Sequence, residues 1–189
     1  MKRLFFVFIM FVYITHSFAQ TSVGSFVRFP NNKLFGRLYK PSLTFIKSEE
    51  KMDLILTYVR SDGYASFDEN SQILFKFEDG SIEKLPTWKP FATKNSYDSM
   101  WQSVTKTYAH FYITNIGFDI DPEIINKIVK DNVKITKIRI LFSNGDFKDW
   151  EISKSYQKKL IKGLTKSYNE ALIENKTRKS LLDNSEKDF

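Results

Sequence analysis

"QILFKFEDGSIEKL", residues 72–85, decides how this chain is built. Ile73, Phe75 and Phe77 recur at every second position, the period of a strand with one buried face. Glu78-Asp79-Gly80 then interrupts the pattern, and Asp-Gly supplies the positive φ angles of a tight hairpin turn. The stretch predicts two antiparallel strands joined at Gly80.

The same grammar recurs on both sides. In "KMDLILTYVR", Met52, Leu54, Leu56 and Tyr58 face one way and Asp53 and Thr57 the other. "SLTFI" before it pairs back through the charged turn at 48–51. "VKITKIRILF" turns at Ser143-Asn144-Gly145 and continues through "DFKDWEI" as another hairpin. "QSVTKTYAHFYIT", rich in β-branched and aromatic residues, reads as one long strand ending near Asn115.

Two helices are expected. Asp121 suits an N-cap and Pro122 a first helical position, with Ile124, Ile125, Ile128 and Val129 forming one apolar face. A closing helix starts near Ser153 and places Tyr156, Leu160, Ile161, Leu164, Tyr168, Ala171 and Leu172 at helical spacing. The predicted class is α+β: an antiparallel sheet of successive hairpins with two amphipathic helices, the second closing the domain.

The chain opens with "MKRLFFVFIMFVYITHSFAQ", in which Lys2 and Arg3 precede an apolar run and Ser17-Phe18-Ala19 supply small residues. That order predicts a secretory leader at 1–19, cleaved after Ala19, and a secreted or periplasmic product. The run is shorter than the about 20 residues a spanning helix needs. No later run approaches that length, so no transmembrane segment is expected in the mature chain. One domain is expected at 20–174, followed by a flexible polar tail at 175–189. The chain has no cysteine, so its stability outside the cytoplasm rests on the core and not on disulfides.

The formal charge is +7, and without Lys2 and Arg3 it is +5, from 27 basic and 22 acidic residues. A balance so mixed is ordinary for a solvated surface and does not point to nucleic acid. Beyond the leader the single histidine is His110, so the common zinc and Cys-His sites are excluded. No phosphate-binding or dinucleotide loop and no serine-hydrolase elbow occurs, and no cofactor or metal is expected. Four S-x-x-K occurrences scatter as background. The acidic clusters Asp119, Asp121, Glu123 and Asp146, Asp149, Glu151 are read as capping and wet strand faces.

Three surfaces remain as candidates. "TWKPFATKNSYDSMW", residues 87–101, gathers Trp88, Phe91, Tyr97 and Trp101 in what reads as a loop. As a plug it covers an open end of the sheet; as a platform it offers rings to a ligand. The plug is favoured, because most large aromatics in one domain are packed. Within it, Asp98-Ser99-Met100 resembles the short motif at which secreted proteins of the Bacteroidota receive O-linked glycans, which implies modification at Ser99. On the closing helix, Lys154, Lys158, Lys159, Lys162 and Lys166 form either a solvated face or a landing surface for an anionic partner.

"ILFKFEDGSIEKL", "YITNIGFDIDPEIINKIV" and "KITKIRILFSNGD", with the closing helix, loosely resemble uncharacterised secreted or periplasmic proteins of the Bacteroidota. The resemblance implies an envelope protein and carries no site residues. The expected function is a non-enzymatic binding or envelope-associated accessory module, with a glycan, an envelope polymer or another envelope protein as partner. The alternative is a polysaccharide-directed hydrolase using Asp and Glu carboxylates beside the aromatic stretch.

Overall fold

The computed structural model describes residues 22–29, 41–48, 51–89, 92–102 and 106–187. Residues 1–19, where a leader is expected, and Phe91 lie outside the described residues. The class is α+β, as the alternating patterns predicted, but the strands form two antiparallel sheets instead of one.

The first sheet runs β1 (Ser22–Val23), β3 (Ser42–Lys47), β4 (Met52–Arg60), β8 (Thr107–Asp119), β7 (Thr93–Gln102), with β2 (Val27–Arg28) also pairing with β3. The second runs β10 (Phe147–Glu151), β9 (Ile135–Leu141), β5 (Gln72–Phe77), β6 (Ile82–Pro86). Helix α1 (Pro122–Val129) carries the chain from β8 to β9, and α2 (Lys154–Lys187) follows β10.

The hairpins form where the turn chemistry placed them. Gly80 sits at φ 86° and Gly145 at φ 82°, a region that L side chains avoid, so each closes its turn without strain. Asp79 also accepts hydrogen bonds from the Ser81 amide and hydroxyl, and Lys127 Nζ of α1 lies 2.9 Å from its carboxylate. These partners hold Asp79 down at about 2. The first hairpin is thereby tied to α1.

One core fills the space between sheets and helices. Phe45, Leu54, Leu56, Ile116 and Phe118 come from the first sheet and Ile73, Phe75, Leu85, Ile138 and Ile140 from the second. Helix α2 adds Leu160, Ile161, Leu164 and Ala171. Its Ser167, fully buried, accepts a hydrogen bond from the Phe45 amide at 3.0 Å and joins the helix to β3.

Three expectations are corrected. Residues 93–102 are strand, not loop, because each pairs in unbroken register with β8. The polar segment from Asn175, expected as a tail, continues as helix to Lys187: no Gly or Pro follows Gly163 to stop it. Asp53, placed on the wet face by alternation, is buried beside Lys51; burial pushes its carboxyl up, opposed by the Lys51 charge. Asp121 occupies the N-cap position of α1 as expected but makes no side-chain capping bond.

On the outer face of β9–β10, Asp149 accepts from Arg139 Nε at 2.6 Å and Nη2 at 2.7 Å, with Lys137 Nζ 2.8 Å away. The Arg139 hydrogen bonds, with Lys137 adding to them, hold Asp149 down at about 2. A depressed carboxylate stabilises the fold fully above its ordinary value and loses that contribution as pH falls through its folded value. The Asp149→Asn variant is therefore expected to lose the part of the acid-unfolding slope between pH 3.8 and about 2, read by circular dichroism.

Candidate functional site

The two sheets meet where β6 ends. Thr87 pairs with Phe118 of β8, and the Trp88 amide donates to the Gly117 carbonyl at 3.1 Å. A strand that switches sheets needs such a corner. Gly117 makes it possible: a Cβ there would stand 2.2 Å from the Trp88 indole carbons. Trp88 is half-buried against β8, and its indole N–H finds no acceptor among the described residues.

Past this corner β7 runs antiparallel to β8 from Thr93↔Ile116 to Gln102↔Thr107. Strand β4 stops sooner, its last pairing being Arg60↔Tyr112. Beyond Tyr112 the sheet therefore narrows, among the described residues, to β7 and β8. This arm extends about 17 Å for five residue pairs at the rise of a strand.

Residues of one parity share a face, so Tyr97, Ser99 and Trp101 lie beside Tyr112, His110 and Tyr108. Nearer the body the same face carries Ile116 and Leu56 and belongs to the core. The arm thus prolongs the core face into solvent. Tyr97, Trp101 and Tyr108 are 51%, 52% and 59% exposed, which overturns the plug reading for Trp101.

The rings order one another. Trp101 meets Tyr108 at 5.0 Å between centroids, Tyr97 meets Tyr112 at 5.4 Å, and Tyr112 meets Tyr64 at 5.2 Å. Tyr97 and His110 stack, and the Tyr97 hydroxyl and His110 Nδ1 share a hydrogen bond. Such edge and stacked contacts add about 0.5–1.5 kcal/mol per pair beyond burial. They make a ladder of two ring groups on one face, Trp101 with Tyr108 and Tyr97 with His110, Tyr112 and Tyr64.

At the inner end of the arm Tyr112 pairs with Arg60, which with Tyr58, Phe142, Asn144, Asp146 and Lys148 among others lines a cavity of about 350 Å³. Burial pushes the Tyr58 phenol up, opposed by the Arg60 charge. Asp62 clamps Arg60 through two hydrogen bonds of 2.8 and 2.7 Å. The lining sets the rings of Tyr58, Phe142 and Phe147 beside the polar groups of Arg60, Ser66, Asn144, Asp146 and Lys148.

The chain matches no family model, no curated protein and no solved structure. The site must be read from its own chemistry.

That chemistry is short of catalytic pairs. Asp146 is the one carboxylate among the described lining residues, and Asn144 donates to it at 2.7 Å. Asp119 is engaged by Lys51, Asp149 by Arg139 and Glu151 by Lys137. Among the described residues no group of three or more His, Asp or Glu is placed to hold a metal.

The lysine surface stands apart from the ladder in sequence, whereas Ser99 lies within it. Lys154, Lys158, Lys159, Lys162 and Lys166 are all exposed along α2, and Lys166 reaches Glu170 at 3.5 Å. Ser99 is exposed on the arm beside His110. Sequence reasoning missed Tyr64, Tyr108 and Tyr112 as members of the ladder and missed the cavity. Tyr108 and Tyr112 had a signal, since both alternate with His110 on a predicted strand.

The corner is open to a direct test. Gly117→Ala is expected to displace Trp88 and to cost about 1–3 kcal/mol of stability, as overpacking does. Denaturant titration gives the loss, and a red-shifted tryptophan emission reports the displaced indole.

Proposed function

We propose that this chain is an exported, non-enzymatic binding module that presents its aromatic arm and the adjoining cavity to a glycan or envelope polymer. The observation that carries the reading is the exposure of Tyr97, Trp101 and Tyr108 on one face of the arm, beside Tyr112, whose strand partner Arg60 lines the cavity. Flat rings stack on the apolar faces of sugar rings, while Asn144, Asp146 and Lys148 offer donors and acceptors to hydroxyl groups. Rings already fixed by their neighbours lose little freedom on binding.

Export is supported by the basic, apolar and small-residue order of 1–19. No described helix is long and apolar enough to cross a membrane. The hydrolase alternative needs two carboxylates about 5–10 Å apart across one cleft. Asp146 has no second carboxylate beside it among the described lining residues, so binding without hydrolysis is the better reading.

Two further assignments follow from exposure. The five lysines of α2 suit an anionic polymer or membrane surface as an auxiliary contact, with an affinity that falls as salt rises. The Asp98-Ser99-Met100 motif is accessible for O-glycosylation, and the intact mass of the natively produced protein would then exceed the sequence mass by whole sugar units.

Ligand binding is tested at Trp101. Titrating the protein with soluble glycans and peptidoglycan fragments is expected to protect Trp101 from acrylamide quenching with one ligand class. Trp101→Ala is expected to weaken that binding by tenfold or more, about 1.4 kcal/mol, while circular dichroism shows the variant still folded. Unaltered quenching with every glycan, or a reducing-end product released by the wild type, would sink the reading.

A further inference from the structure

The inner faces of both sheets end in a cation at the same cavity. On β4, Arg60 follows Leu56 and Tyr58 at period two, and both of those are buried. On β10, Lys148 lies opposite the fully buried Ile140 of β9 and shares its face with the buried Trp150. Each strand thus carries core residues on this face and, at one end, a positive charge. Arg60 and Lys148 both line the cavity of about 350 Å³.

The other cations of the β9–β10 pair are engaged. On the outer face Arg139 and Lys137 hold Asp149, and Lys137 also reaches Glu151 at 2.8 Å. Lys148 makes no ion pair and no side-chain hydrogen bond among the described residues. Arg60 donates to Asp62 through Nε and Nη2, which leaves Nη1 for another acceptor. That two-point bond fixes the plane of the guanidinium, and Asp62 itself is not among the described lining residues. In the described lining two cations therefore stand against one carboxylate, Asp146, whose partner is the Asn144 amide. Tyr58 adds a phenol that burial keeps protonated, able to donate to an anion and carrying no charge to repel it.

We infer that the cavity takes the carboxylate of an acidic sugar, with Lys148 and Nη1 of Arg60 as its donors. One negative charge matches the excess of one positive charge in the lining, whereas a phosphate monoester, at about −1.5 to −2, exceeds it. Charge-assisted hydrogen bonds of this kind are roughly twice as strong as neutral ones. Tyr112, the strand partner of Arg60, stands at the inner end of the ladder, so a sugar stacked there has Arg60 about 5 Å away across the strands. A carboxylate without a sugar forgoes the rings, and a neutral sugar leaves Lys148 unpaired. Resting on the reading of arm and cavity as one glycan surface, the assignment narrows the ligand from glycans in general to those that carry carboxylates.

Matched ligands test it. Oligosaccharides of glucuronic acid and of galacturonic acid, each as the free acid and as the methyl ester, are titrated into the purified protein by calorimetry. The free acid is expected to bind tenfold or more tighter than its ester, an advantage that shrinks as salt rises. Lys148→Gln is expected to bring the acid-to-ester ratio towards one, and Lys148→Arg to preserve it. Lys148 is exposed, and circular dichroism checks that both variants are folded. Acid and ester bound equally would overturn the inference and leave the binding reading standing. Failure of every sugar to bind in either form would overturn both. An acid preference that survives Lys148→Gln and disappears in K158Q/K162Q would place the anion on α2 and overturn it as well, as would tighter binding of a phosphate ester of the same sugars.

Discussion

The structure turns on the missing side chain at Gly117. Only a glycine lets the Trp88 indole lie directly against the backbone of β8, since any Cβ would overlap it. With Trp88 seated there and Thr87 bridged to Phe118, the chain leaves the second sheet and enters the first along the same strand it has just touched. Strand β7 inherits that direction and follows β8 outward for ten residue pairs. The arm, its rings and its open edge all descend from this one close approach.

What the arm offers follows from a mismatch in strand length. β8 spans Thr107–Asp119, and its neighbour β4 covers only the half from Tyr112 inward. Inside that point the shared face holds Ile116 and Leu56 in the core; outside it the same face holds Tyr97, Trp101 and Tyr108 in water. Large exposed rings are unfavourable in a monomer unless something covers them, and clustered exposed apolar area marks contact surfaces. The turn of the β9–β10 hairpin completes the surface by setting Asn144 and Asp146 at the mouth of the cavity beside Tyr58.

Helix α2 secures the opposite flank of the first sheet. Ser167 binds the Phe45 amide, and Thr44 donates to the Gly24 carbonyl at 2.7 Å, so helix, β3 and the segment between β1 and β2 share one polar joint inside the core. Glu170 extends the joint by accepting from the Ser25 amide at 2.7 Å and from the Ser25 hydroxyl; these bonds, with Lys166 nearby, hold its carboxyl below the usual range. Buried polar groups satisfied in this way fix orientation as well as stability. The lysines are left on the solvent side because Leu160, Ile161 and Leu164 claim the inner face.

Much of this was legible in the residues alone. Asp79-Gly80 and Asn144-Gly145 announced their turns, Asp121-Pro122 began α1 where expected, and the periodicity of Leu160, Leu164 and Tyr168 placed the inner face of α2. These are local matters: turn dihedrals, strand alternation and helical spacing depend on residues a few positions apart. The residues 93–102 misled because their pattern, TKNSYDSMWQ, alternates no apolar core residues. A strand whose faces both meet water bears no hydrophobic signature, and only hydrogen bonding to β8 makes it a strand. Asp53 misled for the converse reason, since alternation records which way a side chain points but not whether Lys51 covers it. The sequence by itself determined the hairpins, both helices and the class of the fold, through local conformational preferences. Tertiary structure alone decided that the strands divide into two sheets and that β7 joins β8. It also decided that the aromatic stretch is an exposed arm and not a plug, because pairing partners and relative strand lengths depend on contacts between residues distant in the chain.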